Sequence, residues 1–304
     1  MSLGHDHNKS THAHTRSTNR KNLTIALFIT TGFMIAEIIG GIWANSLALL
    51  SDAGHMFSDA FSQGLSLIAF SLAAKPVTPQ RTYGFYRVEI IAAFINGLTL
   101  AVIAAYIFYE GYKRIINPPE VQSNIMLVIA FLGLVVNIVA AWVLSRGEGS
   151  KSNLNMRSAF LHVLGDLLGS AGAIVAGLLI LFFGWYLADP LISIFIAVLV
   201  LFSGWRVTRE SINILIGSTP KHIDVSEISK MMLEVEGVIS IHDLHIWTLT
   251  SGMELLTCHI VVETEKNMQQ TLLKIRKVVY EKFGIEHVTL QMETEDLKES
   301  EPDI

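Results

Sequence analysis

The chain has 304 residues, 51% of them hydrophobic and 16% charged, with a formal net charge of −5 and a mean hydropathy of +0.47. A soluble domain carries roughly 25% charged residues, so the composition excludes a wholly soluble protein. The lone Cys258 excludes an intramolecular disulfide, and the absence of a dense basic patch argues against nucleic acid as a partner.

Residues 1–22 are polar and hold His5, His7, His12 and His14, followed by Arg16, Arg20 and Lys21. With no cleavage-site pattern, they read as a disordered cytosolic arm, either a weak metal-binding tract or a solvated tail. Six apolar spans follow, each long enough to cross a bilayer. The first is Leu23–Trp43, with Glu37 inside it, and the second is Ser46–Ala74, with Asp52, His55 and Asp59. A polar loop, Lys75–Arg87, leads to the third span, Ile90–Tyr109, and Asn117-Pro118-Pro119 breaks the chain before the fourth, Ile125–Leu144. The fifth, Ala159–Tyr186, carries His162 and Asp166 near its start. Asp189-Pro190 fits an N-cap followed by Pro at N1, which opens the sixth span and carries it past Trp205.

Loop charge sets the orientation. Arg16, Arg20, Lys21, Lys75, Arg81, Arg87, Arg146, Lys151, Arg157, Arg206 and Arg209 fall on one face, against Lys113 and Arg114 on the other. The positive-inside rule then places both termini in the cytoplasm.

Residues 217–304 hold 8 Lys/Arg against 16 Asp/Glu, a net of −8, and read as a separate acidic domain. Val225–Val235 is helical in period. Val238–Thr250 and Glu254–Glu263 alternate around a Ser251-Gly252 turn, Met268–Phe283 is helical again, and His287–Glu293 alternates. The order α-β-β-α-β predicts a three-stranded sheet with two helices on one face. The predicted organisation is therefore an arm (1–22), an all-α six-helix transmembrane domain (23–216), a small cytosolic α+β domain (217–295) and a loose tail (296–304).

The second and fifth spans share a pentad, H-x-x-x-D: His55/Asp59 and His162/Asp166. Residues four apart share a helix face, so each pentad aims one imidazole and one carboxylate the same way. Two such helices supply two nitrogens and two oxygens, the tetrahedral set that Zn²⁺ prefers. Ionisable groups at mid-bilayer cost about 2.5–3.5 kcal/mol on insertion scales and mark function. Asp52, three residues before His55, shares its face and reads as a partner that orients an imidazole or as a step on the entry path. Imidazole binds metal only when deprotonated, so such a site couples metal to protons.

The stretches SLALLSDAGHMFSD (46–59), YGFYRVEIIAAFINGL (83–98), NMRSAFLHVLGD (155–166), ADP (188–190) and SIHDLHIW (240–247) resemble the cation diffusion facilitators, nearest the bacterial zinc/cadmium/cobalt efflux branch. The resemblance implies a homodimer in the inner membrane, a metallochaperone-like cytosolic domain, and exchange of Zn²⁺, with Cd²⁺ and Co²⁺, for protons. It places the transport site on His55, Asp59, His162 and Asp166. In the cytosolic domain it implies metal ligands at His242, His259 and Glu293, with His245, Cys258, Glu286 and His287 as further candidates, and Zn²⁺ there in a regulatory or stabilising role. No organic cofactor is implied. The loop Lys75–Arg87 holds no His, Asp, Glu or Cys, so the extra loop site of some relatives is missing. Two other readings are a membrane metallohydrolase, which needs an open metal position, and a metal sensor that does not transport.

Overall fold

In a computed structural model of the chain, residues 9–73, 77–145, 153–263 and 267–295 are described; at 9–23, 26, 59, 63, 66–67, 69–71, 73, 140–145 and 153–166 the description is of backbone only. The chain divides into two compact units, Met1–Pro76 with Ala92–Thr208, and Val77–Ile91 with Arg209–Ile304.

The first unit is built on long helices: α1 (Lys9–Ala44), α2 (Leu47–Ala73), α3 (Arg87–Ile116), α4 (Ser123–Ser145), α5 (Asn153–Phe183) and α6 (Ala188–Leu215). Among the described residues, Leu27–Ala44, Arg87–Ile116 and Ala188–Leu215 are long and apolar enough to cross a membrane. Ser123–Val139 and Leu167–Phe183 are shorter apolar runs. The stretch read as a disordered arm is helical from Lys9 on, because no Gly or Pro interrupts the chain between Lys9 and Gly32.

Small residues set the packing. Ala44 and Ala48 meet Ala130 of α4 and Ala173 and Ala176 of α5 in one buried cluster, so backbones approach closely as membrane helices require. At the α3–α6 crossing, a Cβ on Gly97 would lie 2.9 Å from the Gly204 carbonyl and 2.2 Å from Thr208 Oγ1, so only glycine fits.

Asp189 departs from its sequence reading. It lies inside the first turn of α6, which begins at Ala188, and its carboxylate caps a different helix. Ser46 Oγ donates to Oδ1 at 2.6 Å, Leu47 N to Oδ2 at 2.8 Å and Ala48 N to Oδ1 at 3.1 Å. Arg114 Nη1 stands 3.7 Å from Oδ2 and donates to the Asn45 carbonyl at 2.7 Å. A buried carboxylate at a helix N-terminus satisfies free N–H groups and meets the positive end of the dipole.

In the second unit, α7 (Val225–Leu233) is capped by Asp224, whose Oδ1 accepts from Ser226 N at 2.8 Å. β1 (Val238–Thr250) and β2 (Met253–Val262) form an antiparallel hairpin turned at Ser251-Gly252, where Gly252 has φ 72°. α8 (Met268–Phe283) ends at Gly284, φ 70°, and returns the chain to β3 (His287–Glu293), parallel to β2. The sheet order is β1-β2-β3. Leu256, Cys258, Ile260 and Val262 pack with Ile228 and Met232 of α7 and Ile275 and Val279 of α8. The alternate residues of β2, including His259, face the other side.

Candidate metal centres

α2 places Asp52, His55 and Asp59 three and four residues apart, on one stripe. α5 places His162, Asp166 and Ser170 four apart on another. The side chains of Asp59, His162 and Asp166 lie outside the described residues; that of His55 is half-buried. The register between the two helices is nonetheless fixed by their neighbours. Ser170 Oγ donates to Asp52 Oδ2 at 3.0 Å. Earlier residues of α2, Ala48 and Leu49, cluster with later residues of α5, Ala173, Ala176 and Ile180, so the helices run antiparallel. At about 1.5 Å of rise per residue, position 55 lies about 4.5 Å beyond Asp52 on α2, and position 166 about 6 Å before Ser170 on α5. Positions 59 and 162 lie about 10.5 and 12 Å along in the same direction. The two pentads are therefore level, each histidine position opposite the other helix's aspartate position.

Further polar groups surround this crossing. Asp52 is buried, and a Cβ on Gly169 would come within 2.1 Å of its Oδ1, so the glycine makes room for the carboxylate. Asn137 Nδ2 of α4 donates to Ser170 Oγ at 3.3 Å. Asn96 Nδ2 of α3 donates to Ser58 Oγ at 2.9 Å, beside position 59.

The second centre is in the sheet. β1 and β2 pair His242 with His259, and β3 runs beside β2 so that Glu293 pairs with Val261, two residues on from His259 and on its face. His242 Nε2 lies 3.0 Å from Glu293 Oε2, and His259 Nδ1 2.7 Å from Oε1. The three ligand atoms lie within 4.8 Å of one another. Zn²⁺ holds N and O ligands at about 2.0–2.2 Å, so a shared ion needs only small adjustments of these side chains. The Glu293 carboxylate is fully buried, with Gln291 Nε2 donating to Oε1 at 2.8 Å. A buried charge needs positive partners, and an N₂O donor set suits Zn²⁺.

The other expected ligands are not brought together with these three. A bulge intervenes after His242, where Asp243 has φ 50°, and His245 pairs with Thr257 further along. Glu286 and His287 line a pocket of about 230 Å³ with Trp247 and Tyr83. Cys258 alternates to the opposite, core face. Burial first, and the Asp243 charge second, push its thiol up to about 12, so the uncoordinated side chain stays a thiol at neutral pH.

Residues 23–216 match the family model described as the cation efflux transmembrane domain, and residues 220–295 the cytoplasmic domain of cation efflux proteins. The chain is 50% identical over 295 residues to a Bacillus subtilis protein named "Cadmium, cobalt and zinc/H(+)-K(+) antiporter", covering 96% of this chain and 93% of that one. It is 40% identical over 294 residues to the "Metal cation efflux system protein CzcD" of Cupriavidus metallidurans, covering 96% and 90%. It is 38% identical over 292 residues to the "Zinc transporter ZitB" of Escherichia coli, covering 96% and 93%. A solved metal-bound C-terminal domain of the Cupriavidus CzcD transporter is 44% identical over 23% of this chain and 99% of that one, with a TM-score of 0.22.

Proposed function

Since this chain belongs to the cation efflux family of metal transporters, we propose that it exports Zn²⁺, with Cd²⁺ and Co²⁺, from the cytoplasm in exchange for protons, through a tetrahedral site of His55, Asp59, His162 and Asp166. It is a transporter and not an enzyme. The observation that carries the reading is the register: Asp52 on Ser170 sets the two pentads level across antiparallel helices. Two imidazoles and two carboxylates satisfy four coordination positions, which leaves none for the activated water of a hydrolase.

The chemistry follows from the ligands. An imidazole releases its proton to take metal and regains one when the metal leaves. Alternate opening of the site to each side then converts a proton gradient into metal export. The Bacillus relative's name joins zinc to H⁺ and K⁺, in keeping with cation exchange. The protein works as a homodimer in the inner membrane with both termini cytoplasmic. His242, His259 and Glu293 hold a regulatory Zn²⁺. It would offset the −8 charge of residues 217–304 and draw the two cytosolic domains together, by mass action on the metal-bound form.

Flux of Zn²⁺ into proteoliposomes under an imposed pH gradient tests this. Wild type concentrates metal against its gradient, and Asp166→Ala at matched reconstitution loses transport nearly completely. Wild-type flux in Asp166→Ala sinks the site, and flux indifferent to the pH gradient sinks the coupling.

A further inference from the structure

The sheet register pairs His242 with His259 and His259 with Gln291, so these three side chains form a row across β1, β2 and β3. Glu293 stands two residues beyond Gln291 on the same face of β3. Its carboxylate is fully buried, whereas Gln291 is exposed. Gln291 Nε2 donates to Glu293 Oε1 at 2.8 Å. Turned the other way, the amide would set its carbonyl against the carboxylate, acceptor against acceptor, so Glu293 fixes the amide with its donor forward. Among the described residues, the other groups on this carboxylate are His242 Nε2, 3.0 Å from Oε2, and His259 Nδ1, 2.7 Å from Oε1.

A bound ion takes the imidazole nitrogens away from the carboxylate, because each must offer the metal a lone pair. Glu293 then gives one oxygen to the ion, and the Gln291 N–H is what remains for the other. Without that donor a buried carboxylate oxygen would be left bare, which is costly, unless it swung onto the ion as a second ligand. We propose that Gln291 sets the metal specificity of this centre: its amide holds Glu293 to one ligand oxygen, which keeps the coordination number low and favours Zn²⁺ over the larger Cd²⁺. The proposal rests on the reading of His242, His259 and Glu293 as a metal centre and deepens it. Zn²⁺ favours tetrahedral shells of four ligands, whereas two-oxygen carboxylate ligation belongs to the more crowded shells of larger ions. Gln291 is thus a positioning residue, acting on the metal through Glu293, as groups behind metal ligands do.

The test is metal binding by the full-length protein carrying Asp166→Ala, which disables the membrane site, at no more than one equivalent of metal per chain. Competition with a chelating dye gives the Kd for Zn²⁺ and for Cd²⁺, and the visible absorption of bound Co²⁺ reports the coordination number. Gln291→Leu keeps an apolar cover beside Glu293 and removes the donor. Its Zn²⁺ affinity falls roughly ten- to a hundredfold. Its Cd²⁺ affinity falls less, so the preference for Zn²⁺ narrows by roughly tenfold. The Co²⁺ bands, intense for a tetrahedral shell, weaken as the shell expands. Since Gln291 is exposed, the metal-free variant melts close to the parent protein. An unchanged Zn²⁺ affinity, an equal loss for both metals, or an unchanged Co²⁺ spectrum overturns the proposal. So does X-ray absorption of the zinc-loaded parent showing Glu293 bound through both oxygens, a result that needs no substitution at 291. Bound zinc undiminished by His242→Ala would condemn the three-residue centre itself and the proposal with it. Zinc lost in His242→Ala but held normally by Gln291→Leu would condemn the role of Gln291 alone.

Discussion

Gly169→Ala is the smallest change that tests how α2 meets α5. The added Cβ would lie 2.1 Å from Asp52 Oδ1 and 2.9 Å from its Cγ, where ordinary contact begins at 3.4 Å. Something must therefore move by about 1.3 Å. If the carboxylate swings aside, it abandons the hydrogen bond from Ser170, and a buried bond to a charged group is worth about 1.5–3 kcal/mol. If the helices part instead, the displacement falls one turn from positions 55 and 166. A misplacement of about 1 Å at a reacting centre costs on the order of a hundredfold. Overpacking alone costs about 1–3 kcal/mol. Both routes lower the melting temperature in detergent and cut Zn²⁺ flux by roughly ten- to a hundredfold. Asp52→Ser relieves the clash, so the double variant is more stable than the sum of the singles predicts, by about 1 kcal/mol or more in a double-mutant cycle. A Gly169→Ala protein with wild-type stability and flux, or singles that simply add, would refute the packing described.

Asp189→Asn keeps the shape of the α2 cap but removes its charge beside Arg114; thermal unfolding should show a loss of about 1–3 kcal/mol, and Asp189→Ala a larger one. Cys258, with its thiol at about 12, should resist alkylation in the folded protein at pH 8, and Cys258→Ser should leave Zn²⁺ binding intact in calorimetry. Stabilisation of the full chain by Zn²⁺ should fall stepwise with His242→Ala and His259→Ala.

The strand and helix order of the second unit was legible because its alternations and turns are local: Ser251-Gly252, Gly284 and the capping Asp224 all act within a few residues. The pentads were legible for the same reason, since four-residue spacing is a property of one helix. Asp189 was not. Its local setting, before Pro190, is that of an N-cap, while its partners are 141–143 residues away in sequence. The part played by Gly169 depends likewise on the α2–α5 crossing, which no periodicity encodes. Strand alternation sends Cys258 to the core face, opposite its neighbour His259, which a reading by sequence adjacency does not separate. Residues 9–22 were judged by polarity alone, which does not stop a helix lacking Gly or Pro.

The central claim is that one metal sits between α2 and α5 on two imidazoles and two carboxylates. X-ray absorption at the zinc edge addresses it directly, on full-length protein carrying His242→Ala, His259→Ala and Glu293→Ala so that the cytosolic centre cannot load, and at one equivalent of zinc so that the weak N-terminal histidines stay empty. The account predicts one zinc per chain with a first shell of two imidazole nitrogens and two oxygens at about 2.0–2.1 Å, and its loss in Asp166→Ala. A six-oxygen shell, a single imidazole, or a spectrum unchanged by Asp166→Ala would contradict it.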